Sequence, residues 1–430
     1  METVEVRIEK LVFGGEGLGH AGDSTIFVPY VLPGELVAVE PAERKKKFVR
    51  GRLHEVLASS PQRCLPPCSH FGVCGGCHYQ HMPYETQVQY KTEILRETLR
   101  RIGHIEWEPA IKAHPSPPFE YRNRAQWKIR PATGKSEEAI GYLQAGSSEI
   151  VPVRECPILA PGLAAILKGL QALIEKDSLP RGTREAEAFI DSSGQKALLN
   201  VSFDSLATSP AAVAHALRDA LSNVQSILTH DAARDRYALV GPGFISYPTA
   251  SGVFRVGHLS FFQVNRFLID ELVQATAGEE SGGLAFDLYA GAGLFTLELA
   301  RRFDRVVAVD ANPAAVRDLS CNLKTNGVAA EHINAEADAF LAGARETPDL
   351  VLVDPPRTGL SPKIVSRLLA TLPARITYLS CDPATLARDL AALTQTPDGR
   401  PGYRIRELHL FDMFPETYHI ETLARLERRA

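Results

Sequence analysis

The chain has 430 residues, with 47 Lys and Arg against 51 Asp and Glu, for a net charge of −4. That length exceeds one ordinary core and predicts two or three domains of a soluble globular protein. The charge balance excludes global attraction to polyanions, so nucleic acid must be met by local basic patches.

Met1 to Lys10 alternates charged and apolar residues without a hydrophobic run, so neither a signal peptide nor a membrane span is expected, and a cytoplasmic protein follows. Val4–Ile8, Thr25–Pro29 and Glu35–Val39 read as short strands, with Gly14-Gly15-Glu16-Gly17-Leu18-Gly19 between the first two. Residues 4–57 therefore predict a small OB-type β-barrel. The run Arg44 to Arg52 that follows is either a solvated face or an RNA-backbone contact on that barrel.

Four of the seven cysteines fall within Cys64 to Cys77, and in a reducing compartment such crowding favours metal over disulfides. Cys68, Cys74 and Cys77, spaced C-x5-C-x2-C with glycines between, can wrap a soft metal centre. Cys156 and Cys64 are rival fourth ligands, and spacing leaves both zinc and a [4Fe–4S] cluster open. Val88, Thr92, Leu95, Leu99 and Ile102 then mark one face of a packing helix that Gly103 could end.

The middle, 114–258, mixes helix and strand signals and has no internal repeat. Tyr121-Arg122-Asn123-Arg124-Ala125-Gln126-Trp127-Lys128-Ile129-Arg130 interleaves four basic residues with two aromatics and no acid, which suits single-stranded RNA as well as a strand with one charged face. Tyr121, Arg122, Asn123, Arg124 and Lys128 are its candidate RNA contacts. Phe261-Phe262-Gln263-Val264-Asn265 could line a ligand pocket or start a helix.

From about 283, Leu284–Leu288, Arg305–Asp310, Asp349–Asp354 and Arg375–Ser380 are apolar runs separated by helical stretches, as in a doubly wound parallel α/β sheet. Asp287-Leu288-Tyr289-Ala290-Gly291-Ala292-Gly293 follows the first run, and Asp310 ends the next. Gly291 and Gly293 let backbone approach a nucleotide closely, and such an acid can accept from ribose hydroxyls. Thr296 stands where a dinucleotide fingerprint has its third glycine, so S-adenosylmethionine fits better than NAD. Asp354-Pro355-Pro356-Arg357 sits at a strand's carboxyl end, with Asp354 fixed by the prolines. Cys381 repeats that placement one strand later. Together with Glu421 it supplies a thiol nucleophile and a carboxylate base, the pair that methylation at carbon 5 of a pyrimidine requires. Cys321, inside a helix, reads as plain core.

In one order over nearly the whole chain, these motifs resemble the RNA uridine C5-methyltransferases of the iron–sulfur, 23S ribosomal RNA type, the RlmD/RumA-like group. The resemblance implies a Rossmann-like class I methyltransferase domain over 259–430, an N-terminal TRAM barrel over 1–57, and an α+β iron–sulfur and RNA-binding domain over 58–258. The resemblance also lets the helix at 84–104 pack on the catalytic domain. It also implies Cys381 as nucleophile, Glu421 as base, and Cys68, Cys74, Cys77 and Cys156 around a [4Fe–4S] cluster. S-adenosylmethionine would lie against Gln263, Tyr289, Gly291, Gly293, Asp310, Glu336 and Asp354. Transfer RNA methylating relatives generally lack the barrel and cluster, which makes ribosomal RNA the expected partner. No membrane and no obligate protein partner is implied. A tRNA enzyme, an amino-group methyltransferase and an inactive iron–sulfur RNA-binding protein are the alternatives.

Overall fold

The computed structural model describes residues 3–131, 137–395 and 402–429. Five strands, β1 (Val4–Val12), β2 (Glu16–Ala21), β3 (Ser24–Pro29), β4 (Leu36–Arg44) and β5 (Phe48–Ala58), close into a barrel in the order β1-β2-β3-β5-β4. Alternation at period two turns Val6, Ile8, Ile26, Val28, Val37 and Val39 into a small aliphatic core. Gly19 is required by proximity, since a Cβ there would lie 2.3 Å from the Arg7 carbonyl oxygen.

The amphipathic helix α1 (Tyr84–Gly103) forms as the apolar spacing predicts, but its stop differs. His104, in the left-handed region at φ 52°, caps it. Gly103 is instead a close-approach residue, where a Cβ would sit 2.7 Å from the Ala387 carbonyl. A short strand, β6 (Lys112–His114), follows.

The middle of the chain builds a seven-stranded sheet in the order β13-β12-β11-β10-β7-β8-β9. Its strands are β7 (Arg124–Arg130), β8 (Ala139–Leu143), β9 (Ile150–Pro152), β10 (Thr183–Ile190), β11 (Ala197–Phe203), β12 (Val224–Asp231) and β13 (Arg236–Val240). Helices α2 (Pro161–Glu175) and α3 (Pro210–Ala220) pack Leu163, Ile166, Leu170, Val213 and Leu217 against Trp127, Leu199 and Ile227 of this sheet. The hairpin β14 (Phe244–Thr249) and β15 (Gly252–Gly257) stands apart from it.

The C-terminal sheet has eight strands in the order β18-β17-β16-β19-β20-β22-β21-β6. They are β16 (Gly282–Leu288), β17 (Phe303–Asp310), β18 (Glu331–Asn334), β19 (Leu350–Val353), β20 (Arg375–Ser380), β21 (Tyr403–Phe411) and β22 (Glu421–Arg428), with β6 at the edge. The first five positions run parallel, and β22 inserts antiparallel between β20 and β21. Helices α4 (Ile269–Ala277), α5 (Thr296–Leu299), α6 (Pro313–Thr325), α7 (Ala337–Gly343), α8 (Pro362–Thr371) and α9 (Pro383–Thr394) accompany it. The chain winds outward from β16 to β17 and β18, then returns to β19 and β20 on the other side. The crevice between the ends of β16 and β19 is therefore a switch point, where open α/β sheets take their ligands.

Several packing contacts join earlier parts of the chain to the C-terminal sheet, α1 on α9 being the one the resemblance implies. Ile94, Leu95 and Leu99 of α1 share a core with Leu386 and Leu390 of α9, β6 joins the C-terminal sheet, and Phe254 and Val256 of the hairpin pack with Leu319 of α6. Among the described residues no helix is long and apolar enough to cross a membrane.

Candidate active site

The glycine loop after β16 begins with Tyr289 at φ 64°, followed by Gly291 at φ 55° and Gly293 at φ 88°. Gly293 has a packing reason as well, because a Cβ would lie 2.4 Å from the Leu319 side chain. Asp310, at the end of β17, accepts from the Gly291 amide at 2.8 Å and the Asn312 amide at 2.7 Å, so it ties the loop to the neighbouring strand. Glu336 precedes α7 and faces Tyr289, where its charge and burial push the phenol up to about 12, burial being the larger cause. Gln263 is buried, and its carbonyl accepts from Asn123 Nδ2 at 3.0 Å. The segment 261–265 is not a helix start; Asn265 forms an isolated bridge with Arg122.

Two carboxylates stand close together at the ends of β16 and β19. Asp287, fully enclosed, accepts from Thr296 Oγ1 at 2.5 Å through Oδ2, while Oδ1 has no partner. Burial raises it to about 7. Burial also raises Asp354 to about 7, with the Asp287 charge adding to the effect. Neither Asp287 nor Thr296 was among the expected site residues. The signal was present, because Thr296 replaces a fingerprint glycine and its hydroxyl serves a buried acid.

Local sequence explains why Cys381 is presented. Ser380 ends β20, Cys381 follows, Asp382 caps α9 by accepting from the amides of Ala384 (2.9 Å) and Thr385 (3.0 Å), and Pro383 opens the helix. Arg388 and Asp389 of α9 staple the Asp354–Leu360 loop. Arg388 donates to the Thr358 carbonyl at 2.9 Å, and Asp389 accepts from the Leu360 amide at 2.8 Å and the Tyr378 hydroxyl at 2.7 Å.

The β20–β22 ladder ends with Ser380 opposite Thr422, so Cys381 and Glu421 lie just beyond that pair, and the thiol senses the Glu421 charge. Cys381 is partly exposed and Glu421 is buried. Burial, with help from the Glu421 and Asp354 charges, pushes the Cys381 thiol up to about 11, and the Arg357 guanidinium pulls the other way. Burial beside Asp354 likewise raises Glu421 well above the usual carboxylate range, again against Arg357. Arg357, whose guanidinium lies 3.4 Å from His419 Nδ1, is thus a cation facing both groups.

The loop before Glu421 is gripped from outside its own sheet. Lys91 of α1 donates to Asp412 Oδ1 at 2.6 Å and the Phe414 carbonyl at 3.0 Å, and both side chains are fully enclosed. Gln87 and Glu416 exchange two hydrogen bonds of 3.1 Å, and the amides of His78 and Tyr79 donate to the Glu416 carbonyl at 2.7 and 3.0 Å. Beside this loop, the barrel residue Phe13 meets Tyr418 edge-on at 5.5 Å, and His78 meets Tyr418 at 4.7 Å.

Cys68, Cys74, Cys77 and Cys156 line one cavity of about 40 Å³, with Arg122 and Tyr142 in its wall. Their electrostatic neighbours form a ring: Cys74 senses Cys68, Cys156 senses Cys68, and Cys77 senses Cys156 and Cys74. Cys64 lies outside it, exposed, with its thiol 3.7 Å from the Gln80 carbonyl. Among the described residues, however, no three His, Cys, Asp or Glu side chains converge tightly enough to hold a metal ion. Cys321, expected as plain core, is only half-buried.

The expected RNA contacts on 121–128 need correction. Tyr121 and Asn123 are fully enclosed; Tyr121 donates to the Pro415 carbonyl at 3.1 Å and Asn123 to Tyr247 at 3.2 Å. Arg124 is taken by Glu187 and the Ser260 carbonyl, Lys128 by Glu185, and Arg122 turns toward the cysteine cavity. Arg124 and Lys128 are thus answered across the sheet by acids of β10. Arg50 of the basic run 44–52 pairs with Glu16 on the barrel surface.

Residues 83–429 match the family model described as tRNA (Uracil-5-)-methyltransferase, and residues 1–54 match the TRAM domain. An uncharacterized RNA methyltransferase of Aquifex aeolicus is 34% identical, covering 99% of each chain. A 23S rRNA (uracil(1939)-C(5))-methyltransferase of Alkalilimnicola ehrlichii is 33% identical, over 100% of this chain and 97% of its own. Among solved structures, a Pyrococcus abyssi tRNA (uracil-54, C5)-methyltransferase in complex with S-adenosyl-L-homocysteine is 28% identical, with a TM-score of 0.77 over 98% of this chain and 100% of its own. A tRNA enzyme can thus match this fold from end to end, so the barrel alone does not separate rRNA from tRNA methylation.

Proposed function

The chain belongs to the tRNA (uracil-5-)-methyltransferase family, an S-adenosylmethionine-dependent RNA methyltransferase with an N-terminal TRAM domain, and we propose that it methylates carbon 5 of a uridine in 23S ribosomal RNA through a covalent Cys381 adduct. The observation that supports this reading is that Cys381 and Glu421 lie just beyond the Ser380–Thr422 pair of the β20–β22 ladder, near enough for the thiol to sense the carboxylate. The rRNA assignment draws on the full-length likeness to 23S rRNA enzymes.

In this mechanism the target uridine leaves its stack, because carbon 6 is out of reach in paired RNA. The Cys381 thiolate adds to carbon 6 as the 5,6 double bond shifts its electrons toward the carbon-4 carbonyl. S-adenosylmethionine supplies an electrophilic methyl group, which carbon 5 takes as its bond to sulfur breaks. Glu421 then removes the carbon-5 proton, the 5,6 double bond re-forms, and the sulfur leaves. Gln263, Tyr289, Gly291, Gly293, Asp310, Glu336 and Asp354 hold the cofactor in this reading. Buried Glu421 is a stronger base for its raised proton affinity, and Arg357 supplies the countercharge while it is ionised.

Cys68, Cys74, Cys77 and Cys156 are the residues that would hold a [4Fe–4S] cluster in this reading. The four thiols line one cavity. Such a cluster would be held by thiolates, and the role assigned to it here is structural.

The test incubates the purified chain with labelled S-adenosylmethionine and unmodified 23S rRNA or tRNA, and maps 5-methyluridine by mass spectrometry. Label in 23S rRNA at a uridine is expected. Exclusive labelling of tRNA would move the substrate, and failure of 5-fluorouridine RNA to form a denaturation-stable adduct would remove the covalent mechanism.

A further inference from the structure

We propose that Lys91, on helix α1 and 321 residues from its ionic partner, is a positioning residue for the base: it clamps the 412–420 loop so that Glu421 stands near Cys381. The proposal rests on the covalent reading above and adds to it the part that holds the two reacting groups in register.

Residues 412–420 form no regular element and span from Phe411 to Glu421, which pair with each other across β21 and β22. The ladder pairs its ends without setting the path between them. Its polar groups are held instead by one face of α1. Tyr84, Gln87 and Lys91 recur at three- and four-residue spacing and therefore share that face. Gln87 meets Glu416 on both its amide and its side chain, Lys91 meets Asp412 and the Phe414 carbonyl, and the Tyr84 hydroxyl accepts from the Ser116 amide at 2.8 Å. Asn265 closes the other side, donating to Ser116 Oγ at 2.9 Å and to the Met413 carbonyl at 3.3 Å.

The same helix sets the nucleophile. Its Ile94, Leu95 and Leu99 pack on Leu386 and Leu390 of α9, which begins two residues after Cys381, and Gly103 lets α1 come against the Ala387 carbonyl. One rigid rod thus references both the thiol and the carboxylate. Lys91 is its strongest hold, an ammonium with no exposed surface on a carboxylate with none. Asp412 is adjacent to Phe411, the residue that pairs with Glu421. Movement of the loop by about 1 Å, enough to cost roughly 10²-fold in rate, would misplace the base while leaving the thiol and the cofactor crevice intact.

The experiment compares the wild type, Lys91→Met and the double variant Lys91→Met/Asp412→Leu as full-length holoenzyme. The double variant removes both charges, so no lone carboxylate is left buried. Unmodified RNA is the substrate, and 5-fluorouridine RNA is the control for the covalent route. The expected result is kcat lowered roughly 10²-fold with the KM for S-adenosylmethionine unchanged, and an RNA–protein adduct accumulating on denaturing gels with ordinary RNA, because addition and methylation proceed and proton removal stalls. Wild-type kcat overturns the proposal. So does lost activity without adduct in a folded variant, and so does failure of both variants to fold, since Lys91 is then scaffold. Wild-type enzyme that does not trap fluorinated RNA refutes the covalent reading and this one with it. Wild-type trapping confines any failure to Lys91.

Discussion

Asp287→Asn should stabilise the protein, and by an amount that depends on pH. Asp287 has no exposed surface, one oxygen is taken by Thr296, and the other has no partner. Burial lifts it from 3.8 to about 7. A group whose folded-state pKa is raised contributes stability that is fully present below its unfolded value and lost as pH climbs to the folded one. The loss begins near pH 3.8 and is complete above about 7. At about 1.4 kcal/mol per unit, three units set a ceiling of ~4 kcal/mol. Asparagine keeps the acceptor for Thr296 and carries no charge, so the variant escapes this loss. Its advantage should grow by up to ~2 kcal/mol between pH 5.5 and 8 and then level off. Urea unfolding of wild type and variant at both pH values measures it through the midpoints. An equal shift at both pH values, or a gain that shrinks as pH rises, would refute the argument that a buried carboxylate is being forced to ionise.

Cys381→Ala should abolish methyl transfer yet leave S-adenosylmethionine binding intact, whereas Glu421→Gln should accumulate the RNA adduct; a denaturing gel and calorimetry distinguish them. Because burial pushes the Cys381 thiol up to about 11, trapping of 5-fluorouridine RNA should accelerate about tenfold per pH unit from 6.5 to 8.5 as the thiolate fraction rises. A flat profile would count against the thiol as the titrating nucleophile. Anaerobic protein should hold about four irons per chain, lost on Ser substitution of Cys68, Cys74, Cys77 or Cys156 and kept in Cys64→Ser and Cys321→Ser. Stoichiometric zinc without iron would overturn the cluster.

What the sequence made legible was local or periodic. The runs at 284–288 and 375–380 became parallel strands because a strand buried on both faces must be apolar throughout. Asp382-Pro383 announced a capped helix directly after Cys381. What stayed hidden depends on partners distant in the chain. Arg124 and Lys128 look like an RNA-binding face until β10 brings Glu187 and Glu185 opposite them. Nothing in the sequence marks a partner for Lys91, and only the fold delivers Asp412 to it. His104, not Gly103, ends α1, because α9 claims the glycine for close packing.

The insertion of β22 between β20 and β21 sets the order in which this enzyme comes into being on the ribosome. Cys381 emerges 40 residues before Glu421, so the nascent sheet first stops at an unpaired edge of β20. The next strand made, β21, cannot close that edge, since its place is one position further out, beside β6. Only β22 joins the two. The thiol is therefore made without its base, and assembly waits on a non-local pairing, the slow kind. Until then the open edge is the part of the chain most exposed to pairing with a neighbour.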